Sequence, residues 1–177
     1  MVSFGWGARA FFVRTAGLPF AAKLIVACYV VFALLHYGAI RSADNLTAGR
    51  TVAAAAMYLG ALGLFWWAVR VNRSRPLSAA FSPDAPQFLV QAGPYRYIRH
   101  PFYSSYLAAW TAGVIATGDL WLTPTVAVLL TLYLRAITLE ERKFLHSHLA
   151  GAYSEYRRRT GCLVPNPIKM IFGGRGA

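Results

Sequence analysis

Four long apolar runs with few charges constrain the fold of this chain more than any other feature. They cover residues 21–40, 51–69, 102–118 and 120–138. An apolar helix of about 20 residues, rising about 1.5 Å per residue, crosses the roughly 30 Å hydrocarbon core of a bilayer. Only 14% of the 177 residues are charged, against about a quarter in a typical soluble domain. The sequence therefore predicts an all-α, polytopic integral membrane helix bundle with about four transmembrane helices.

The segments around these runs complete the predicted architecture. Only Asp119 stands between the third and fourth runs, which predicts a tight helical hairpin. Residues 1–20 mix aromatic and basic side chains and predict an interfacial helix on the membrane, whereas the prolines and serines of residues 72–91 predict a loop. A cytosolic C-terminal helix is predicted over residues 139–159, with its glutamates first and its arginines last, as the helix dipole prefers. The length allows one domain, residues 1–177.

Basic residues are distributed unevenly along the chain. Lys and Arg total 18 against six Asp and Glu, a formal net charge of +12. All but two of them lie in the N-terminal segment, in the loop after the second run, or from Arg135 onwards. The positive-inside rule then predicts that both termini are cytoplasmic, in the cell inner membrane of a bacterium or the endoplasmic reticulum of a eukaryote. Because the basic residues flank apolar runs and form no nucleic-acid motif, we expect a membrane partner and no nucleic acid. No sequence feature specifies an oligomeric state.

The stretch 93–103 concentrates polar side chains at the start of the third run. It carries Arg96, Arg99 and His100 among three tyrosines. Charged groups held at membrane depth are expensive, so they are functional candidates by default. Arg96 and Arg99 would share one face of a helical turn, where they could grip a carboxylate or phosphate, or else act as topogenic charges on lipid headgroups. His100 precedes a proline, which predicts an extended backbone that turns its ring away from a regular helix face.

A second polar cluster, Arg135 and Glu140-Glu141, follows at the end of the fourth run. Under the predicted topology, both clusters lie at the same cytoplasmic mouth of the bundle. Adjacent helical residues diverge by about 100°, so we expect one glutamate to bind a ligand while the other pairs with an arginine. The alternative is a salt-bridged helix start with no ligand.

Two further features are less specific. Tyr153 and Tyr156 share a helix face and could stack on an aromatic ligand, although tyrosines are also common interfacial anchors. Cys28 and Cys162 suggest neither a disulfide framework nor a thiolate metal site. We therefore predict no metal.

Two ordered motifs give the chain a family resemblance. The first is Leu89-Val90-x-x-Gly93-Pro94-Tyr95-Arg96-Tyr97-Ile98-Arg99-His100-Pro101-x-Tyr103. The second is Arg135…Glu140-Glu141, followed by Tyr153-x-x-Tyr156-Arg157-Arg158-Arg159 and Pro165. Together, around a tight hairpin, they resemble the membrane methyltransferases typified by isoprenylcysteine carboxyl methyltransferase, to which the phospholipid methyltransferases are related. The resemblance covers residues 89–167, close to half of the chain.

The resemblance implies a transferase that moves a methyl group from S-adenosylmethionine to a lipophilic acceptor and leaves S-adenosylhomocysteine. Residues 89–167 would form the cofactor-binding and catalytic half, and the acceptor would enter sideways from the bilayer. Carried over residue by residue, the implied cofactor-binding residues are His100, Pro101, Tyr103, Glu140, Glu141, Tyr153 and Tyr156. The implied catalytic residues are Arg99, Arg135 and His100.

The residue chemistry agrees with this implication. The sulfonium, ammonium and carboxylate of the cofactor call for both acids and arginines in a closed site, where charge contacts are strong. An isoprenylcysteine-like carboxylate or a hydrophobic thiolate needs no general base, whereas a phospholipid amine must lose a proton, which His100 or a glutamate could take. The acceptor stays open among these three. Departures from the family pattern, such as Ser105 and Leu149-Ala150, leave the charged residues in place.

Two other functions compete with methyl transfer. An NADPH-dependent enzyme of the sterol-reductase type has a similar cofactor-binding end, although this chain lacks the many spans expected before it. A non-catalytic membrane lipid-binding or scaffold protein would keep the helix packing without the chemistry. The charged residues of both clusters argue against this second alternative: Arg99, His100, Arg135, Glu140 and Glu141.

Overall fold

Helices joined by short turns dominate the computed structural model, which describes residues 20–43, 47–73 and 86–168. These ranges hold five helices: α1 Phe20–Arg41, α2 Ala48–Asn72, α3 Pro101–Thr117, α4 Thr123–Leu145 and α5 Ala150–Arg159. Short 3-10 turns, Gly93–Arg96 and Leu120–Leu122, precede α3 and α4. No strand occurs in the described ranges, so the predicted all-α fold is confirmed. The predicted interfacial helix and most of the predicted loop fall on residues 1–19 and 74–85, outside the described residues.

Three segments are long and apolar enough to cross a membrane: Lys23–Arg41, Ala48–Asn72 and Leu120–Leu145. Large apolar side chains such as Leu34 and Val52 point outwards from them and are exposed, as expected for lipid-facing surfaces. α3 has 17 residues, which makes it about 26 Å long at the usual helical rise. The helical membrane architecture is thus confirmed, and the fourth span remains a prediction.

α3 is the central element of the bundle. On one side it packs against α2, where Phe65 is fully buried and meets the ring of Phe102 edge-on at 5.6 Å. On the other side Trp110 packs against Leu129 of α4 and against Tyr29 of α1, with ring centroids 4.9 Å apart. Lipid chains are as apolar as these rings, so close packing, rather than exclusion of water, holds such helices together.

α3 and α4 form the predicted hairpin. α3 ends at Thr117, and residues 118–122 lead into α4. Pro101 and Pro124 lie in the first turns of the two helices, as predicted, where a missing N–H costs no helical hydrogen bond. The start of α3 and the last turns of α4 consequently lie at the same end of the bundle.

The single helix predicted over residues 139–159 is in fact two helices. α4 ends at Leu145, and the chain turns over residues 146–149 before α5 begins. In this turn the Ser147 hydroxyl donates to one backbone carbonyl and accepts from one backbone N–H, at 2.8 and 3.1 Å. Such local bonds compete with the helical hydrogen bonds. The two glutamates therefore lie near the end of α4 and not in a first helical turn, so the dipole argument made for them is wrong.

Candidate active site

The Gly93–Arg96 turn is fastened to both α2 and α5. The buried hydroxyl of Tyr95 accepts a hydrogen bond from Nδ2 of Asn72 at 2.8 Å. Tyr156 donates its hydroxyl to the carbonyl oxygen of Tyr95, also at 2.8 Å. Gly93 has a φ of 57°, and a Cβ at that position would lie 2.5 Å from Cγ2 of Val71, so the turn requires glycine. These contacts fix the direction in which residues 97–100 leave the turn.

A short parallel pairing joins residues 97–100 to the chain that follows α5. The Gly161 N–H donates to the Tyr97 carbonyl at 3.0 Å, and the Arg99 N–H donates to the Gly161 carbonyl at 2.9 Å. The His100 N–H donates to the Cys162 carbonyl at 3.2 Å. A Cβ at position 161 would overlap a nearby backbone carbonyl, so glycine is needed for the close approach. His100 itself has φ −124° and ψ 62°, short of the extended region, so the extended backbone predicted for this residue is wrong, although its N–H takes part in the pairing.

Arg99 is buried and ties three segments together. Its Nε donates to Oε1 of Glu141 at 2.9 Å. Its Nη1 donates to the carbonyl oxygens of Thr160 and Arg157, at 2.7 and 3.4 Å. Arg96, in contrast, is exposed, because the backbone leaves the 3-10 turn for the extended pairing. The prediction that Arg96 and Arg99 share one helical face is therefore wrong.

His100 lies between the two glutamates of α4. Its Nδ1 is 3.2 Å from Oε2 of Glu140, and its Nε2 is 3.4 Å from Oε1 of Glu141. Tyr103 stacks on the imidazole with ring centroids 5.8 Å apart, and it donates its hydroxyl to Glu140 at 2.8 Å. Nε of Arg157 contacts the second oxygen of Glu141 at 3.4 Å. Glu141 is thus the glutamate that pairs with arginines, and both glutamates contact His100.

The electrostatics of this cluster favour a charged imidazole. Burial alone disfavours the imidazolium, but the hydrogen bonds and negative charges of Glu140 and Glu141 outweigh it, so the pKa of His100 is raised above its ordinary value. Two carboxylates then face three cations: the imidazolium, Arg99 and Arg157. Pairing of this kind is what makes buried charge tolerable at the edge of a membrane.

The remaining predicted site residues differ in their surroundings. Tyr153 and Tyr156 are buried on the same face of α5. Tyr153 stacks on Phe144 at 4.7 Å, and burial raises the pKa of both tyrosines. Their rings are covered by protein and hold α5 against the cluster.

Arg135 lies exposed on α4, and its side chain makes no hydrogen bond or ion pair within the described part of the chain.

An apolar groove of about 520 Å³ opens beside Arg99. It is lined by Leu134 of α4 and by residues 161–167, and Arg99 is the one charged residue in that lining. Leu134 is 45% exposed on the outer surface of α4, so the groove reaches the lipid-facing side of the bundle. Its volume lies within the roughly 300–1,000 Å³ of small-molecule sites. The two glutamates do not line it, which makes Arg99 the link between groove and cluster.

Sequence reasoning misses three residues that shape the site: Asn72, Thr160 and Arg157. Asn72 is fully buried at the end of α2, but one polar residue after an apolar run carries no recognisable signal. Thr160 offers its backbone carbonyl to Arg99 and donates its hydroxyl to the Tyr156 carbonyl at 2.7 Å, but one threonine after three arginines carries no recognisable signal. Arg157 is one of three consecutive arginines; its position four residues after Tyr153, on the same helical face, is the signal that could have selected it.

Cys162 is a further neighbour of the cluster that the sequence does not select. One donor atom each from His100, Glu141 and Cys162 lie within 4.8 Å of one another. Arg99 already holds Glu141 at 2.9 Å, so a metal ion there would meet a like charge at close range. The absence of a metal site stays a prediction.

Comparison with known families identifies the chain at the level of its family. The profile of the phospholipid methyltransferase family matches residues 49–152, more than half of the chain. The matched range runs through α2, the turn, the α3–α4 hairpin and both glutamates. Comparison with curated proteins and with solved structures gave no match. The chain belongs to the phospholipid methyltransferase family, a family of membrane methyltransferases.

Proposed function

We propose that this chain transfers a methyl group from S-adenosylmethionine to a lipophilic acceptor at the cluster of Arg99, His100, Glu140 and Glu141. The observation that carries the proposal is the position of this cluster. Two carboxylates and their cationic partners lie together at one end of a membrane helix bundle, with Arg99 and Glu141 buried and His100 and Glu140 half-buried, beside an apolar groove. Membership of a methyltransferase family supports the reaction class.

The donor set of the cluster fits S-adenosylmethionine. The bound cofactor supplies an electrophilic methyl group carried on a sulfonium. Glu140 and Glu141 are suited to its cationic groups, and an arginine is suited to its carboxylate. His100 and Tyr103 contact the two glutamates, Pro101 begins the helix between them, and Tyr153 and Tyr156 hold α5 against the cluster. Burial in this region strengthens each of these charge contacts.

The groove supports a lipophilic acceptor that arrives from the bilayer. Its apolar lining suits a hydrocarbon chain, and its edge at Leu134 lies on the exposed apolar surface of α4. The three acceptors considered are an isoprenylcysteine-like carboxylate, a hydrophobic thiol and a phospholipid amine. A guanidinium in the lining suits the first two as anions, whereas an amine requires a proton acceptor such as His100.

Arg99, His100 and Arg135 are the proposed catalytic residues. Arg99 belongs to both the cluster and the lining of the groove. This position supports a catalytic role between the methyl donor and the methyl acceptor. His100 is the group suited to receiving a proton. The role of Arg135 rests on the family resemblance, and its exposed position on α4 leaves it free to contact an acceptor.

We further propose that both termini are cytoplasmic, because the basic residues are concentrated in the segments of that side. The site would then face the cytoplasm, either at the inner membrane of a bacterium or at the endoplasmic reticulum. Reporter fusions after residues 43 and 168 test this orientation: the first should report the far side of the membrane, and the second the cytoplasm.

Calorimetric titration of the protein in nanodiscs tests the proposed function. We expect saturable binding of S-adenosylmethionine and S-adenosylhomocysteine and none of NADPH, followed by transfer of labelled methyl to one of the three acceptor classes. Binding of NADPH instead would favour an enzyme of the sterol-reductase type. No binding by a folded sample would favour a non-catalytic lipid-binding or scaffold protein.

A further inference from the structure

Both ring nitrogens of His100 face carboxylate oxygens. Nδ1 lies 3.2 Å from Glu140, and Nε2 lies 3.4 Å from Glu141. An ionised carboxylate only accepts hydrogen bonds, and a neutral imidazole can donate from one nitrogen only. Satisfying both contacts therefore requires the doubly protonated ring. In that state His100 is a largely covered cation between the two glutamates.

The groups around this ring leave little room for a second cation. On α4 the facing groups are Glu140 and Glu141, and on α3 the stacked neighbour is Tyr103. The segment after α5 contributes Cys162, whose sulfur lies within 4.8 Å of the His100 and Glu141 donor atoms. The remaining nearby charges, Arg99 and Arg157, are positive and bind Glu141. With the imidazolium counted, the cluster already holds one positive charge more than negative.

S-adenosylmethionine carries one net positive charge, the sum of a sulfonium, an ammonium and a carboxylate. If it entered the cluster beside a protonated His100, the net positive charge in a poorly solvated space would double, which is costly. If the ring gave up its proton to the solvent, the net charge would stay constant. The glutamates would then exchange one cation for another.

We propose that a cationic ligand of this site takes the two glutamates over from His100, and that its binding releases the imidazolium proton to the solvent. The identity of the ligand as S-adenosylmethionine rests on the proposed function. Proton linkage then fixes the pH dependence: the affinity should rise by up to about tenfold per pH unit while His100 is protonated in the free protein, and level off above its pKa. The neutral ring left behind is also the state that can accept a proton from an acceptor.

The number of protons released can be measured directly. We would titrate the nanodisc-held protein with S-adenosylmethionine in phosphate and in Bis-Tris, which both buffer at about pH 6.5 but differ in ionisation enthalpy; at this pH an α-amino group remains protonated. We expect the wild type to release close to one proton per ligand bound. His100→Gln should bind with nearly equal heats in the two buffers, and the matched control His148→Gln, at an exposed histidine, should behave as the wild type.

Equal heats in the two buffers for the wild type, or an affinity that does not change between about pH 5.5 and 7, would overturn this proposal and leave the proposed function intact. A lack of binding by the folded wild type at every pH would overturn both together. The buffer comparison needs only the wild type, so misfolding of His100→Gln would not prevent the test.

Discussion

Replacing Arg99 by Gln should detach the C-terminal segment from the start of α3. The substitution removes the guanidinium that pairs with Glu141 at 2.9 Å and the donors to the carbonyls of Thr160 and Arg157. Removing one partner of a buried ion pair costs about 3–5 kcal/mol. Because the imidazolium of His100 and the partly exposed Arg157 still contact Glu141, we expect a cost near the lower end, about 3 kcal/mol.

This cost should appear as local opening, because without the guanidinium the segment after α5 is held to residues 97–100 by a short backbone pairing and to α3 by the Ser104 hydroxyl, which donates to the Leu163 carbonyl. Amide hydrogen exchange in nanodiscs measures it: the protection of His100 and Gly161 should fall by a factor on the order of 100. The matched control is Arg96→Gln, on the exposed neighbour. In the double variant Arg99→Gln/Glu141→Gln no buried carboxylate is left short of partners, so part of the protection should return. Wild-type protection in Arg99→Gln, or a double variant no better protected, would refute the reasoning.

Three further perturbations have defined outcomes. Gly93→Ala should destabilise the protein by about 2–5 kcal/mol, the sum of a left-handed backbone and a clash with Val71. Thermal unfolding in detergent measures this loss, and an unchanged midpoint would contradict the reasoning. Asn72→Ala should lower the free energy of unfolding by about 1–3 kcal/mol, because it removes the hydrogen-bond donor to the hydroxyl of Tyr95. Thermal unfolding should show this loss, whereas an unchanged stability would mean that this bond does not hold the turn. Raising the pH should destabilise the ligand-free wild type more than His100→Gln. The raised pKa of His100 gives a stabilisation that is full below about pH 6.5 and is lost as the pH rises through the folded-state pKa. If the stability of the wild type and of His100→Gln changed in parallel with pH, the contact of His100 with the glutamates would contribute nothing.

The helices could be predicted from the sequence because their signals are local. The length of an uncharged run sets a span, and Pro101 and Pro124 mark first turns at which proline costs nothing. The end of α4 was mispredicted because the apolar and charged pattern continues smoothly past Leu145. The helix ends where the side chains of His146 and Ser147 bond backbone carbonyls, and the spacing of apolar residues carries no information about such bonds.

The arrangement of the site depends on contacts between distant parts of the chain. Arg99 turns inwards because its backbone pairs with Gly161 and its side chain bonds the carbonyl of Thr160, which is 61 positions away. Helical spacing, applied to Arg96 and Arg99 alone, gave the wrong answer because it assumed a helix where an extended pairing forms. The meeting of His100 with the two glutamates was accessible from the sequence, since a hairpin brings the start of one helix to the end of the next.

Arg99 and Arg135 differ in what a substitution can report about catalysis. Arg99 is buried and bonds two backbone carbonyls as well as Glu141, so lost turnover in an Arg99 variant would mix a chemical role with detachment of the segment that closes the site. Arg135 is exposed on α4 and makes no hydrogen bond or ion pair within the described ranges; its removal should leave the amide protection of residues 97–100 unchanged. Arg135→Ala could lose turnover while that protection and the affinity for S-adenosylmethionine stay intact. This result would assign Arg135 to contact with the methyl acceptor. Full turnover in the same variant would leave Arg99 as the arginine of the catalytic centre.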